Sequence, residues 1–256
     1  MPLLRAVLLA LAASPARAIF TPLKDSNIQE AAVNWVGQAA PNYADATYGP
    51  VAAADTSQVT TMKQIFSAKP SFTGDLSAWN VASATTMVQM FNGAHVFNSG
   101  IGSWNVAHCA TMDSMLSEAA IFDQNLATWN VARVASMYSM FSGAAAFNQN
   151  IGGWNVARAT GMGGMFLQAA TFNQNLATWN VARVTSMYSM FFGAAAFNQN
   201  VAAWNVVSVT EMTGMFKGAT ALSASVKCSI FSQWGGTLQT AHPEFSCTTL
   251  PTARCE

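Results

Sequence analysis

Three arginines and a histidine hold one recurring position in this chain. His108, Arg133, Arg158 and Arg183 follow one another every 25 residues, with Ser83 and Ser208 at the same position on either side of them. Arginine forks match the oxygens of carboxylate, sulfate or phosphate groups two at a time. If the 25-residue units stack at the roughly 4.8 Å of paired strands, the cations form a column whose repulsion is only partly screened within a Debye length of about 8 Å. An acidic polysaccharide or an acidic protein segment is the ligand that such a column suits. A second column is neutral: Asn80, Asn105, Asn130, Asn155, Asn180 and Asn205 each follow a tryptophan, with Asp55 in the same frame ahead of them. Amides without carboxylates hold calcium poorly, so these six are expected to form a structural ladder satisfying backbone groups at a buried corner. Thr60, Thr85, Thr160, Thr185 and Thr210 make a third row, interrupted by Ala110 and Ala135, and are expected to be ordinary strand residues.

Other chemistry finds no constellation. Asp75, Asp113, Glu118, Asp123 and Glu211 sit in different frames, so stacking gathers no carboxylate pair, and His95 and His242 stand alone; no catalytic residue, no cofactor and no enzyme are expected. No His/Cys spacing resembles a zinc site, so no metal is expected either. Charged residues are 9% of the chain and the formal net charge is zero, which leaves no electrostatic footprint for nucleic acid. Cys109 shares its frame with Val134, Val184 and Val209 and is expected to be a buried free thiol. Cys228, Cys247 and Cys255 lie outside the frame, and any two of them are candidates for one disulfide.

The elements that must position these columns are written in the same period. Trp79, Trp104, Trp129, Trp154, Trp179 and Trp204 recur every 25 residues without insertion, and a Met row from Met62 to Met212 and three further aromatic or aliphatic rows, begun by Phe66, Phe72 and Leu76, keep step with them. Four apolar rows in register predict a solenoid, a quasi-one-dimensional stack of about seven coils. Within a coil, Met137, Met140, Phe141 and Ala144 are spaced i, i+3, i+4, i+7, which predicts a short helix. Ile151, Trp154 and Val156, and residues 184–187, are β-prone and predict one or two short parallel strands per coil. The expected fold class is therefore an α/β solenoid of the leucine-rich-repeat type.

The ends differ from the middle. Residues 1–18 read as a signal peptide, with Arg5, an apolar run and Ala16-Arg17-Ala18 ahead of Ile19. Residues 19–54 predict an N-terminal helical cap, with Ile28, Ala31, Ala32 and Trp35 on one stripe of a helix over 26–39 that ends at Pro41. The repeat solenoid spans 55–226, with Val226 closing the row of Leu76 and Ile101, and 227–256 is a cysteine-containing cap. No later segment is long and apolar enough to span a membrane, so a secreted or extracellular cell-surface location is expected.

The unit Phe-Asn-Gln-x-Ile/Leu-x-x-Trp-Asn-Val-x-x-Val-Thr-x-Met-x-x-Met-Phe-x-x-Ala, seen in 122–144 and 172–194, resembles the BspA-like, leucine-rich-repeat-like surface proteins, a family once known only as a domain of unknown function in mycoplasma lipoproteins. The likeness covers 55–226, and the leader with Trp35 and Tyr48-Gly49-Pro50 is similar to that of relatives in microbial eukaryotes. It implies a secreted or surface solenoid without catalytic residues, some members being adhesins for host proteins. Two departures are Trp-Asn where most relatives carry Trp-Asp, and no lipoprotein cysteine after the signal. The expected function is a binding or adhesion module that presents a repetitive surface to extracellular protein or acidic glycan. The rival expectation is a self-associating matrix or wall protein.

Overall fold

The computed structural model describes residues 20–38 and 44–235. The signal segment, Pro41, Cys247 and Cys255 lie outside the described residues.

An amphipathic helix opens the fold. Helix α1, Ile28–Val36, buries Ile28, Ala31, Ala32 and Trp35 and leaves Val33 exposed. A two-residue antiparallel pair follows, β1 (Ala44–Asp45) with β2 (Gly49–Pro50), its turn held by the Asp45 carboxylate, which accepts the Thr47 and Tyr48 N–H groups. Seven stacked turns of chain come next, joined by single parallel bridges from Thr61 to Thr86 and so on through Ser186 to Glu211. Helix α2, Ala224–Trp234, ends the described chain, with Ser223 at its N-cap accepting the Val226 N–H.

The rule of the stack is an alternation of hydrogen bonds. In the fourth coil the N–H groups of Met137, Ser139, Phe141 and Gly143 donate to carbonyls of the next coil, Gly161, Gly163, Met165 and Leu167, at 2.7–3.0 Å. The N–H groups between them, of Met140, Ser142 and Ala144, instead donate three residues back within their own coil. The same scheme repeats in the coils before and after.

This alternation corrects the expected local structure. No coil contains an α-helix; the i, i+3, i+4, i+7 stripe is borne by successive tight turns. The cause lies in two backbone positions per coil held at positive φ: Gln89, Ser114, Ser139, Gly164 and Ser189 share one, and Ala68, Glu118, Gly143, Gln168 and Gly193 the other. A left-handed residue every few positions prevents a right-handed helix from propagating. The expected strands shrink to one bridging residue per coil, because alternate N–H groups are spent inside the coil rather than on a neighbour.

The apolar rows pack as read. Phe91 stacks on Phe97 within its coil at 3.9 Å and on Phe66 of the previous coil at 5.8 Å, and the Met and Phe rows are buried throughout. Each tryptophan of the row donates its indole N–H to a carbonyl of the preceding coil, as Trp154 does to Leu126 at 3.0 Å, and from Trp129 to Trp204 the rings also stack from coil to coil, Trp154 on Trp179 at 6.5 Å. Burying an indole requires such a partner. The frame of these tryptophans in the first coil is occupied by Ala54, and Trp35 of α1 reaches across to fill the place, 6.0 Å from Trp79. At the other end Trp234 of α2 stacks on Trp204 at 6.4 Å. Val226 is not the last member of its row, since the chain is already helical there and Val226 is only partly buried.

Candidate binding surface

Each arginine of the recurring column sits at the tip of a tight turn. In coil four the Val134 N–H donates to the Val131 carbonyl at 2.9 Å and places Arg133 at the third position of that turn; Arg158 and Arg183 occupy the same place in the turns closed by Ala159 to Val156 and Val184 to Val181. The valines beneath are buried, so the tips stand on a fixed base. All three arginines are exposed, and no described carboxylate pairs with them; among the described residues the one ion pair is His95 with Glu118 at 3.7 Å.

His108 behaves differently from the arginines above it. Its Nδ1 lies 2.9 Å from the Ala82 carbonyl of the preceding coil. Ser83 and Ser208, in the same frame, donate to the equivalent carbonyls of Ser57 and Ala182. The structure thus brings all four sequence-predicted residues into one column. It gives the outer members a backbone partner and leaves the guanidinium groups of Arg133, Arg158 and Arg183 turned to solvent.

The asparagine column runs alongside, three residues earlier in each coil. Its six members are exposed rather than buried at a corner, and they do not bridge coils. Each Oδ1 accepts the N–H two residues on, as in Asn130 to Ala132 at 3.2 Å and Asn155 to Ala157 at 3.2 Å. The Asx turn consumes the amide oxygen and leaves the amide N–H₂ outward, so the edge of the stack carries guanidinium and amide donors side by side.

The ladder that does join the coils is another one. Asn148 Oδ1 accepts the Asn173 N–H at 2.9 Å and the Gln174 amide at 3.0 Å, Asn173 repeats this with Asn198 and Gln199, and Asn98 and Asp123 extend the line toward the N-terminus. The recurring Phe-Asn-Gln was the available signal, although its spacing reads as a turn and a stop. The threonine row is likewise internal, since the hydroxyls of Thr85, Thr160, Thr185 and Thr210 each donate to a carbonyl one coil back.

Cys109 is fully buried, its Sγ 3.2 Å from the Thr111 carbonyl, and burial pushes the thiol up to about 11. Cys228 is buried on α2. Asp55 and Asp75 lie below the usual carboxylate range because the N–H groups of Ser57 and Ser77 donate to them. Among the described residues no three His, Cys, Asp or Glu side chains gather as a metal site, and no described helix is long and apolar enough to cross a membrane.

No curated protein matches the chain. Among solved structures it is similar to a Leucine Rich Repeat protein of T. pallidum, at 13% identity over 67% of this chain and 74% of that one, with a TM-score of 0.43; the fold itself rests on this chain's own hydrogen bonds. The family model described as "Mycoplasma protein of unknown function, DUF285" matches residues 39–154 and again 126–229. Those two spans hold every stacked coil together with its arginine and asparagine columns, and the chain belongs to the DUF285 family.

Proposed function

We propose that this repeat protein is a non-catalytic recognition module of the extracellular surface, holding polymers that carry carboxylate or sulfate groups along the column of His108, Arg133, Arg158 and Arg183. The observation that carries the reading is the state of the three guanidinium groups, exposed on rigid turn tips beside outward amide donors and without a described carboxylate partner. A folded protein gains nothing from stacking like charges one above another, whereas a polyanion relieves that repulsion and meets the same fork at every coil. Weak contacts repeated along a rigid axis add as avidity. The likeness to BspA-like surface proteins, whose members include adhesins, and the signal-like first eighteen residues support an extracellular setting.

The test is binding of residues 19–256 to a sulfated and a uronic-acid polysaccharide at low salt and at about 0.15 M salt. Salt-sensitive binding that is lost when Arg133, Arg158 and Arg183 are all changed to Ala is the expected result. Binding that survives the triple change overturns the column. Growth of particles in light scattering of the ligand-free protein, with no polyanion bound, would point instead to lateral self-association.

A further inference from the structure

A different face of the stack, around the row of single bridges, carries two tyrosines that no role above uses. Tyr138 and Tyr188 share one frame position two coils apart and are 41% and 52% exposed. Between them lies a coil stripped of side chains at the frame positions beside the bridge, Gly161, Gly163 and Gly164. The Tyr138 ring lies down over that gap: a Cβ added at Gly163 would stand 2.8 Å from its Cε1, and one added at Gly161 would stand 2.9 Å from its Cζ and clash with its Cε2. Both glycines are buried. One face of the ring is therefore pressed onto backbone while the residue stays well exposed, the arrangement of a flat shelf rather than of a half-buried core residue.

We propose that Tyr138 and Tyr188 form a stacking platform for a neutral polysaccharide chain running along the axis of the solenoid. Three features select that ligand. The flat apolar face of a pyranose packs on an aromatic ring, and tyrosine adds a polar edge. Two rungs at the ~4.8 Å between paired chains set the two tyrosine positions about 10 Å apart along the backbone, which is about the disaccharide repeat of cellulose-type and chitin-type chains, in which alternate sugars show the same face. The charge is also selective: across frame positions 110–114, 135–139, 160–164, 185–189 and 210–214 there is no Lys or Arg, while Asp113 lies at one end and Glu211 at the other. A polyanion is repelled there, and a polyol finds the Glu211 carboxylate and the hydroxyls of Ser186 and Thr213 to share with its own hydroxyl groups, Asp113 being held by Ser136, Thr111 and the Tyr138 N–H. The platform is thus separate in place and in chemistry from the arginine column.

The experiment is calorimetric titration of the folded chain with cellohexaose and with chitohexaose, at low and at moderate salt. Binding to at least one of them that does not change with salt is expected. Tyr138→Ala and Tyr188→Ala should each weaken it roughly tenfold, while Tyr138→Phe keeps it. Gly161→Ser, which restores the residue type that Ser136 and Ser186 provide in the neighbouring coils, should lift the Tyr138 ring from its shelf and weaken binding with both tyrosines still present. Failure of both oligosaccharides to bind overturns the proposal, as does undiminished binding by the double Tyr→Ala variant with an unchanged thermal midpoint. Salt-sensitive binding that disappears in the triple arginine variant would also overturn it, by assigning the sugar to the other column; loss of the arginine column's polyanion binding alone would leave the platform standing.

Discussion

The two ends of the stack face opposite problems and close by different means. Most bonds between coils run from an N–H of one coil to a carbonyl of the next, so the first coil turns carbonyls outward and the last turns N–H groups outward, while two N–H groups per coil, such as those of Thr160 and Thr171, point the other way. At the N-terminal end a polar imitation of a missing coil answers this. The Asp25 carboxylate accepts the N–H groups of Thr60 and Thr61 and the Thr60 hydroxyl, standing where a preceding carbonyl stands for Thr85, and the Gln29 amide donates to the Lys63 carbonyl. At the C-terminal end α2 buries Cys228, Ile230 and Trp234, with the Trp234 ring against Trp204 and Phe216 and its indole N–H donating to the Ala202 carbonyl. Both ends finish the tryptophan column with a residue from outside the frame. Closing a core and closing a hydrogen-bonded edge are separate tasks, and at the N-terminal end Trp35 serves the first while Asp25 and Gln29 serve the second.

The comparison breaks most sharply at the tryptophans. Trp154→Ala should cost about 3–5 kcal/mol in denaturant unfolding, because it removes a stacked ring from both neighbours and leaves the Leu126 carbonyl with the Trp129 N–H alone. Trp35→Ala should approach that loss, being fully buried with its N–H 2.8 Å from the Gly49 carbonyl, while Trp234→Ala, with a 3.2 Å bond, should cost less. Equal losses at the two caps would erase the difference argued above.

Asp25 sharpens it further. Asp25→Ala should cost about 1–2 kcal/mol, the range of a lost capping carboxylate, and hydrogen exchange should quicken at Thr60 and Thr61 while the last coils stay protected. Burial raises the Asp25 pKa, but the Thr60 hydroxyl and the Thr61 and Thr60 N–H groups together hold it below the 3.8 of a free aspartate. The group's stabilisation is then complete above that ordinary value and is lost as pH falls through the lower folded value. Acid should loosen the N-terminal cap in that window. Exchange that quickens first in the last coils would contradict the assignment.

Two smaller effects concern the coils between the caps. Gln168→Gly should stabilise by about 1 kcal/mol, since Gln168 sits at φ 56° where Gly143 and Gly193 occupy the equivalent place. Cys109→Val should change stability by less than about 1 kcal/mol, and the Cys109 thiol should resist alkylation at pH 8 until the chain unfolds, because burial keeps it protonated.

What the sequence made legible was whatever the period repeats. The apolar rows, the burial of Cys109 and the column of Arg133, Arg158 and Arg183 follow from residue type and a constant spacing. Backbone conformation did not follow, because i, i+3, i+4, i+7 is satisfied equally by a helix and by a train of turns; the left-handed positions carry Gln, Ser, Ala and Glu as readily as Gly, so composition does not mark them. The six asparagines after the tryptophans and the asparagines of Phe-Asn-Gln look alike as rows, yet the first close turns inside a coil and the second join coils. Asp25 and the glycine shelf under Tyr138 escaped for the opposite reason: each occurs once, and a reading built on recurrence passes over what happens once.

The constancy of the frame has a consequence at the level of the gene. Residues 122–147 and 172–197 are nearly the same sequence, so recombination between the stretches that encode them removes or adds two whole coils. Because the Asn148 ladder, the tryptophan bonds and the alternating backbone pairs all begin and end on equivalent atoms, the shortened or lengthened product closes on the same two caps without a new junction to solve. Length in such a molecule is heritable variation that arises already folded, and the number of sites it displays can drift or be selected as a count.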